Sequence, residues 1–405
     1  MNMVVKAGKF KIFDFNGIGF LELFLPIYSV LMYYTLPVVG SIGQIILIVY
    51  VIIYFIFHRK IHYNVPKYFL LFVLIAIPIQ LIVFYFVGGL NYSRIINLLM
   101  IVFYLIILSV FKININGLYK VYKIFAFISS IAIIVQFIQI YFFNEIVHQI
   151  MLLPIERPKG WYKEGLRPQG IFPEPQVFAT FILPVLILTL KKSEYLWTLF
   201  FTLSIFASTS SLGIICSVGV WGYYLFFSEM KAWKKGIIFG LMFMLLIVLT
   251  QTSLFEYGTE KITSTDFLNN VRLTRGFLIY YKIPTINKLF GIGVNNLAYF
   301  QETGKIILND KMSIAMRNSS YITTIAELLI NYGLFLTLLY LKFLFNLMKN
   351  SKNRLFVILL FILSFAQTIL FSGVWYLYMV IIFASLNENN DCYIVNKKGK
   401  RNNEG

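Results

Sequence analysis

The chain has 405 residues, of which 59% are hydrophobic and only 13% charged, and its mean hydropathy is +0.78. That composition excludes a water-soluble domain and the functions that need one. The formal net charge of +18, from 35 Lys and Arg against 17 Asp and Glu, implies no nucleic-acid partner, because basic residues flanking membrane helices account for most of it.

Apolar runs of about 20 residues, the length one helix needs to cross a hydrocarbon core of roughly 30 Å, recur along the chain. The run IGQIILIVYVIIYFIF (42–57) is apolar on every side. A barrel strand would alternate at every second residue, so the spans are read as helices. In chain order they are predicted over 17–36, 40–57, 68–88, 94–111, 124–143, 171–190, 196–208, 211–228, 236–252, 320–346, 355–370 and 372–387. Separating 196–208 from 211–228 requires the polar patch STSS (208–211) to be a break and not a kink in one tilted helix. The expected fold class is all-α, a polytopic integral membrane protein of about 12 transmembrane helices with a large outer loop between the ninth and tenth.

Five regions follow: 1–16 is a cytoplasmic N-terminus, 17–251 carries helices one to nine, 252–319 is the outer loop, 320–387 carries helices ten to twelve, and 388–405 is a cytoplasmic tail. Placing the N-terminus inside puts KAGKFK, HRKIHYNVPK, KININGLYKVYK, KKSE, EMKAWKK, KNSKNR and NKKGKR on one side, as the bias of short inner loops toward Lys and Arg requires. No small-residue cleavage site precedes the first span, which is expected to act as the anchor. Cys216 in an apolar run and Cys392 in the polar tail are not placed for a disulfide.

Topology does not account for the cations of two outer segments. The segment 144–170 carries Arg157, Lys159, Lys163 and Arg167, and 252–319 carries Lys261, Arg272, Arg275, Lys282, Lys288, Lys305, Lys311 and Arg317. Glu156, Glu164, Glu256, Glu260 and Asp266 are available to pair with some of them. Arginine's planar fork binds phosphate oxygens bidentately and stays charged when partly desolvated, so arginines abutting membrane helices suit a lipid-linked phosphate or diphosphate. Glu174, between Pro173 and Pro175, is expected at the start of the sixth helix, because proline suits a first turn. There the free N–H groups and positive dipole end favour anions. Arg167, seven residues earlier, would reach the same vestibule, as a diphosphate ligand, as the ion-pair partner of Glu174, or both.

Four segments carry a family resemblance. LRPQGIFPEPQVFATFILP (166–184) resembles the signature that opens a central helix in bacterial O-antigen polymerases of the Wzy type and in the related O-antigen ligases. ASTSSLGIIC (207–216) resembles their Thr-x-Ser-Arg-Gly segment, NNVRLTRGFLIYYKIPTINKLFGIGVNN (269–296) their Arg…Pro…Gly-x-Gly segment, and RNSSYITTIAELLINYGLF (317–335) the helix that follows. The resemblance covers roughly 161–340. It implies a multi-pass protein of the bacterial inner membrane that joins polyprenyl-diphosphate-linked oligosaccharides at the outer face. A chain-length regulator protein is the further partner it suggests.

The departures are specific. The family's Ser-Arg is Ser211-Leu212 here, and the ligase histidine before an Asn is Arg317 before Asn318, which disfavours a ligase. The Glu-x-Gly pair of the family helix is replaced by Glu327 and Gly333, six apart. His148 reads as an interfacial polar residue, Trp161 and Tyr162 as candidates for stacking on sugars, and GIGVNN (291–296) as a glycine turn with no preceding strand, not a nucleotide fingerprint.

In the implied reaction arginines stabilise charge on the departing diphosphate and a carboxylate takes the acceptor's proton. The catalytic candidates are Arg167, Glu174 and Arg275, and the substrate-binding candidates are Arg272, Arg317, Asn318 and Tyr321. A helix around 267–281 is expected to put Arg272 and Arg275 on one face. No Asp-x-Asp or cluster of metal-ligand residues appears in the outer segments, so no metal or cofactor is expected. The competing class is a lipid-linked oligosaccharide flippase. Such transporters are built from repeated halves, and this sequence shows no internal repeat.

Overall fold

The computed structural model describes residues 18–36, 40–57, 67–87, 92–111, 113–153, 167–228, 271–307, 322–349 and 353–385, with isolated positions between 231 and 240. Apolar runs become helices because a backbone in hydrocarbon must satisfy its N–H and C=O groups within its own segment. The helices are α1 (Phe20–Leu31), α2 (Ile42–Phe57), α3 (Lys67–Val87), α4 (Tyr92–Val110), α5 (Ile115–Phe143), α6 (Pro175–Lys191), α7 (Tyr195–Ala207), α8 (Ser211–Phe227), α9 (Val271–Lys282), α10 (Thr285–Phe290), α11 (Leu297–Glu302), α12 (Thr324–Met348), α13 (Arg354–Ala366) and α14 (Gly373–Ser385). Among the described residues, strand is confined to the two-residue antiparallel pair Thr35–Leu36 and Gly40–Ser41. The protein is all-α.

Three helices, α3, α5 and α12, are long and apolar enough to cross a membrane. Among the described residues, eight further apolar stretches, α4 counted over Ile95–Val110, have 10–17 residues, short of the roughly 20 that one crossing takes. The break expected at 208–211 is present: α7 ends at Ala207, Thr209 has φ 56°, and α8 starts at Ser211 under a Ser210 cap. The predicted ninth span, 236–252, lies outside the described residues apart from positions 236 and 240, as do the tail and most of 1–19.

Hydrogen bonds at the helix ends sort the bundle into two ends. At the lower end, Glu22 accepts from the Asn114 N–H at 2.8 Å, Lys192 donates to Asn116 at 2.8 Å, and Lys123 pairs with Glu194 at 2.7 Å. Lys191 lies 4.6 Å from the Phe356 ring and Lys342 5.3 Å from the Tyr68 ring, which brings the start of α13 and the start of α3 to this end. Burial works to raise the Glu194 carboxyl, but the Lys123 hydrogen bond and the charges of Lys123 and Lys192 hold it below its ordinary value. Lys67, Lys120, Lys349 and Arg354 lie at or near helix starts and ends here, beside Lys123, Lys191 and Lys192. At the upper end, α6, α8, α12 and α14 begin.

Helices α6 and α14 are buried on every side: Phe181 through Ile187 and Trp375 through Ile382 are all nearly inaccessible. That is why their sequences show no polar face. Helix α8 reaches α6 through Gly213, where a Cβ would come within 2.4 Å of the Ala179 Cβ.

Helix α12 is broken at Gly333 (φ 78°, ψ 173°). The break leaves carbonyls without their helical donors, and the GIGVNN segment supplies replacements. Ile292 N–H donates to Ile330 O at 2.9 Å and Gly293 N–H to Asn331 O at 3.1 Å. Gln80 of α3 spans both partners, donating to Asn331 O and accepting from Val294 N–H, each at 2.9 Å. Only glycine fits at Gly291 and Gly333, both at positive φ, where an added Cβ would meet Asn331 O or Leu289 O at 2.3 Å.

Candidate functional site

The segment carrying Arg167 and Glu174 is non-helical, so its backbone needs partners from elsewhere. One side chain provides most of them. Gln136, 4% exposed inside α5, accepts from Gln169 N–H at 2.8 Å and Gly170 N–H at 2.7 Å, and donates to His148 O at 2.8 Å. Ile150 N–H then donates to Gly170 O at 2.8 Å, and Leu152 N–H to the Tyr34 hydroxyl at 2.7 Å. His148, expected to be merely interfacial, thus joins the brace through its carbonyl.

With the backbone fixed, Arg167 points to the α7–α8 break. Its Nε donates to Thr209 Oγ1 at 3.2 Å and its Nη2 to Thr209 O at 2.6 Å. Glu174 occupies the N-cap of α6 in an extended conformation (φ −146°, ψ 148°), followed by Pro175 at the first helical position. Its carbonyl accepts from Val177 and Phe178 N–H groups, but its carboxylate makes no cap bond and the residue is exposed. The carboxylate therefore keeps its acceptor capacity for groups outside the helix.

Two residues on, Gln176 Nε2 donates to Gln367 Oε1 at 2.7 Å. The Gln367 carbonyl accepts from both N–H and Oγ1 of Thr324 at 3.0 Å, at the start of α12. The beginnings of α6 and α12 and the end of α13 are therefore tied together at the upper end. Helix α9 joins them: a Cβ at Gly276 would fall 2.3 Å from the Ala326 Cβ. Arg275, its neighbour, is 7% exposed and so is largely enclosed by protein. Replacing it will disturb packing as well as charge.

The next residue after Ala326 is Glu327, whose Oε2 is buried without a hydrogen-bond partner, as is Gln367 Nε2. Buried polar atoms rarely go without one. Each of the two atoms leaves a hydrogen bond for a water or a hydroxyl to make.

Arg272 lies in the first turn of α9, but its side chain is outside the described residues, as are Arg317, Asn318 and Tyr321. The structure thus brings the elements bearing Arg167, Glu174 and Arg275 to one end of the bundle. The sequence reading passed over Gln80, Gln136, Gln176, Thr209 and Gln367. The available signal was an amide inside an apolar helix, which is rarely retained without a partner. No protein-family model matches the chain, and no curated protein matches it. The resemblance to polymerases therefore rests on the sequence motifs.

Proposed function

We propose that this protein is a surface-polysaccharide polymerase of the O-antigen kind, a membrane glycosyltransferase that joins polyprenyl-diphosphate-linked repeat units at the outer face of the inner membrane through about twelve spans. The observation that carries the reading is the junction at the upper end. Segments bearing an arginine fixed to Thr209, an exposed N-cap carboxylate and a buried arginine all belong to elements that begin or pack there.

In the proposed reaction the acceptor sugar hydroxyl attacks the anomeric carbon of the donor, and the bond from that carbon to the diphosphate oxygen breaks. The electron pair leaves with the polyprenyl diphosphate, and the hydroxyl proton passes to a carboxylate. Arg167 and Arg275, with Arg272, hold the leaving diphosphate, where fixed cations lower the barrier most. Glu174 receives the proton. Arg317 adds to the grip on the diphosphate, and Asn318 with Tyr321 orients sugar.

The test uses the full chain in nanodiscs with synthetic lipid-linked repeat units. A ladder of lipid-linked products, each longer by one unit, is the expected result. Movement of the lipid-linked unit between leaflets without any lengthening would replace this reading with the flippase. Transfer to a lipid A acceptor without a ladder would replace it with the ligase.

A further inference from the structure

The region expected to be an outer loop contains an apolar surface that has no place in water. On α9, Arg275, Gly276, Ile279 and Ile283 face inward, while Phe277, Leu278 and Tyr281 are exposed. On α10, Ile286 is 64% and Phe290 44% exposed, and Leu289 is exposed beside them. The two helices are held as one body: Tyr280 donates to Lys288 O at 3.0 Å, and Lys288 Nζ sits 5.0 Å from the Tyr281 ring. Contiguous exposed apolar area of this kind marks contact with protein or membrane.

Depth decides between those partners. Helices α3 and α12 are both of membrane-crossing length and pack antiparallel, with Gln80 on Asn331 at 2.9 Å. Asn331 lies seven residues below the start of α12, and Gln80 lies seven short of the end of α3. At 1.5 Å per residue each is about 10 Å below the helix end. The turn 291–294 is bonded to both. Gly276, by contrast, touches Ala326 only two residues into α12. The chain therefore descends from Gly276 to Gly291 and turns back. Non-helical backbone is tolerated at such depth only when protein satisfies it, and the bonds from Ile330, Asn331 and Gln80 do so. The two lysines beside the apolar side chains have their ammonium groups taken up by protein, Lys282 donating to Ile307 O at 3.1 Å and Lys288 lying over the Tyr281 ring.

We propose that residues 277–290 form a re-entrant, lipid-facing wall, with the exposed side chains of α9 and α10 against the acyl chains of the bilayer. The inference is independent of any glycosyl transfer. In nanodiscs of phosphatidylethanolamine and phosphatidylglycerol, a phospholipid carrying a diazirine midway along its acyl chain should label the peptide 284–290 of the unmodified protein on irradiation. Nitroxides at Ile286→Cys and Phe290→Cys, in a background without Cys216 and Cys392, should relax more with oxygen than with a water-soluble nickel chelate. A nitroxide at Thr303→Cys should show the reverse. Stronger relaxation by nickel at 286 and 290 would place the wall in water and overturn the proposal. Absence of both diazirine labelling and relaxation would mean that protein, such as a second copy, covers it, and would overturn it equally.

Discussion

Replacing Gln136 by leucine removes the side chain on which the Arg167–Glu174 segment depends. The change strips three hydrogen bonds and leaves the N–H groups of Gln169 and Gly170 buried without a partner. Each orphaned donor costs about 1–3 kcal/mol, so the pair should destabilise the local structure by roughly 2–6 kcal/mol. Leucine fills nearly the same volume, so the cost is polar and not a cavity. Hydrogen exchange read by mass spectrometry on peptides spanning 167–176 measures the local opening free energy directly. Gln136→Glu discriminates further. A carboxylate still accepts from both N–H groups, but its ionised form cannot donate to His148 O and repels that carbonyl. The glutamate variant should fall between wild type and leucine. Protection in Gln136→Leu within about 0.5 kcal/mol of wild type, the usual scatter for a surface substitution, would refute the reasoning. So would a loss of protection spread evenly over all helices.

Gly333→Ala should lower stability by more than about 1–3 kcal/mol, the cost of the glycine-only conformation alone, because its Cβ also meets Leu289 O at 2.3 Å. Gly219→Ala, with nothing within 4 Å of the added Cβ, should be neutral or stabilising by up to about 1 kcal/mol; thermal unfolding of the two variants checks the contrast. Glu194→Gln should cost no more than about 1 kcal/mol at neutral pH, since the ion pair is partly exposed. A carboxyl held below its ordinary 4.5 contributes fully above that value and loses its contribution as pH falls through the lowered one. Unfolding of variant and wild type should therefore converge in acid. Arg275→Lys, which keeps the charge but not the fork, should slow polymer formation roughly ten- to hundredfold, the loss of one charge-assisted contact of about 1.5–3 kcal/mol. Arg275→Ala should in addition lower the unfolding temperature, because the side chain is buried.

The helices were legible because their signal is local. Runs at 40–57, 68–88, 196–208, 211–228 and 355–370 each correspond to an observed helix within a few residues, since hydrocarbon leaves the backbone no alternative. The α5 start was missed by nine residues, because Lys120 and Lys123 look like a loop when the partners of Lys123 are unseen. Those partners, Glu194 and Trp197, are more than seventy residues away. Glu174 as a helix start was legible from its flanking prolines. The binding of Arg167 to Thr209 was not, because it depends on a positive-φ turn in a different motif. The role of GIGVNN was half legible: its glycines announced a turn, and only tertiary contact with Gly333 shows what the turn repairs.

These misses share a physical cause. An apolar helix can hold a non-helical neighbour only by offering hydrogen bonds, and at membrane depth a charge would be costly to bury. An amide offers a donor and an acceptor without charge, so it can face a broken backbone from either direction. Gln80 does so for α12 and the turn 291–294, and Gln136 does so for His148 and 169–170. The Gln176–Gln367 pair does the same between helix ends. Amides do not titrate near neutrality, so the bracing is insensitive to pH.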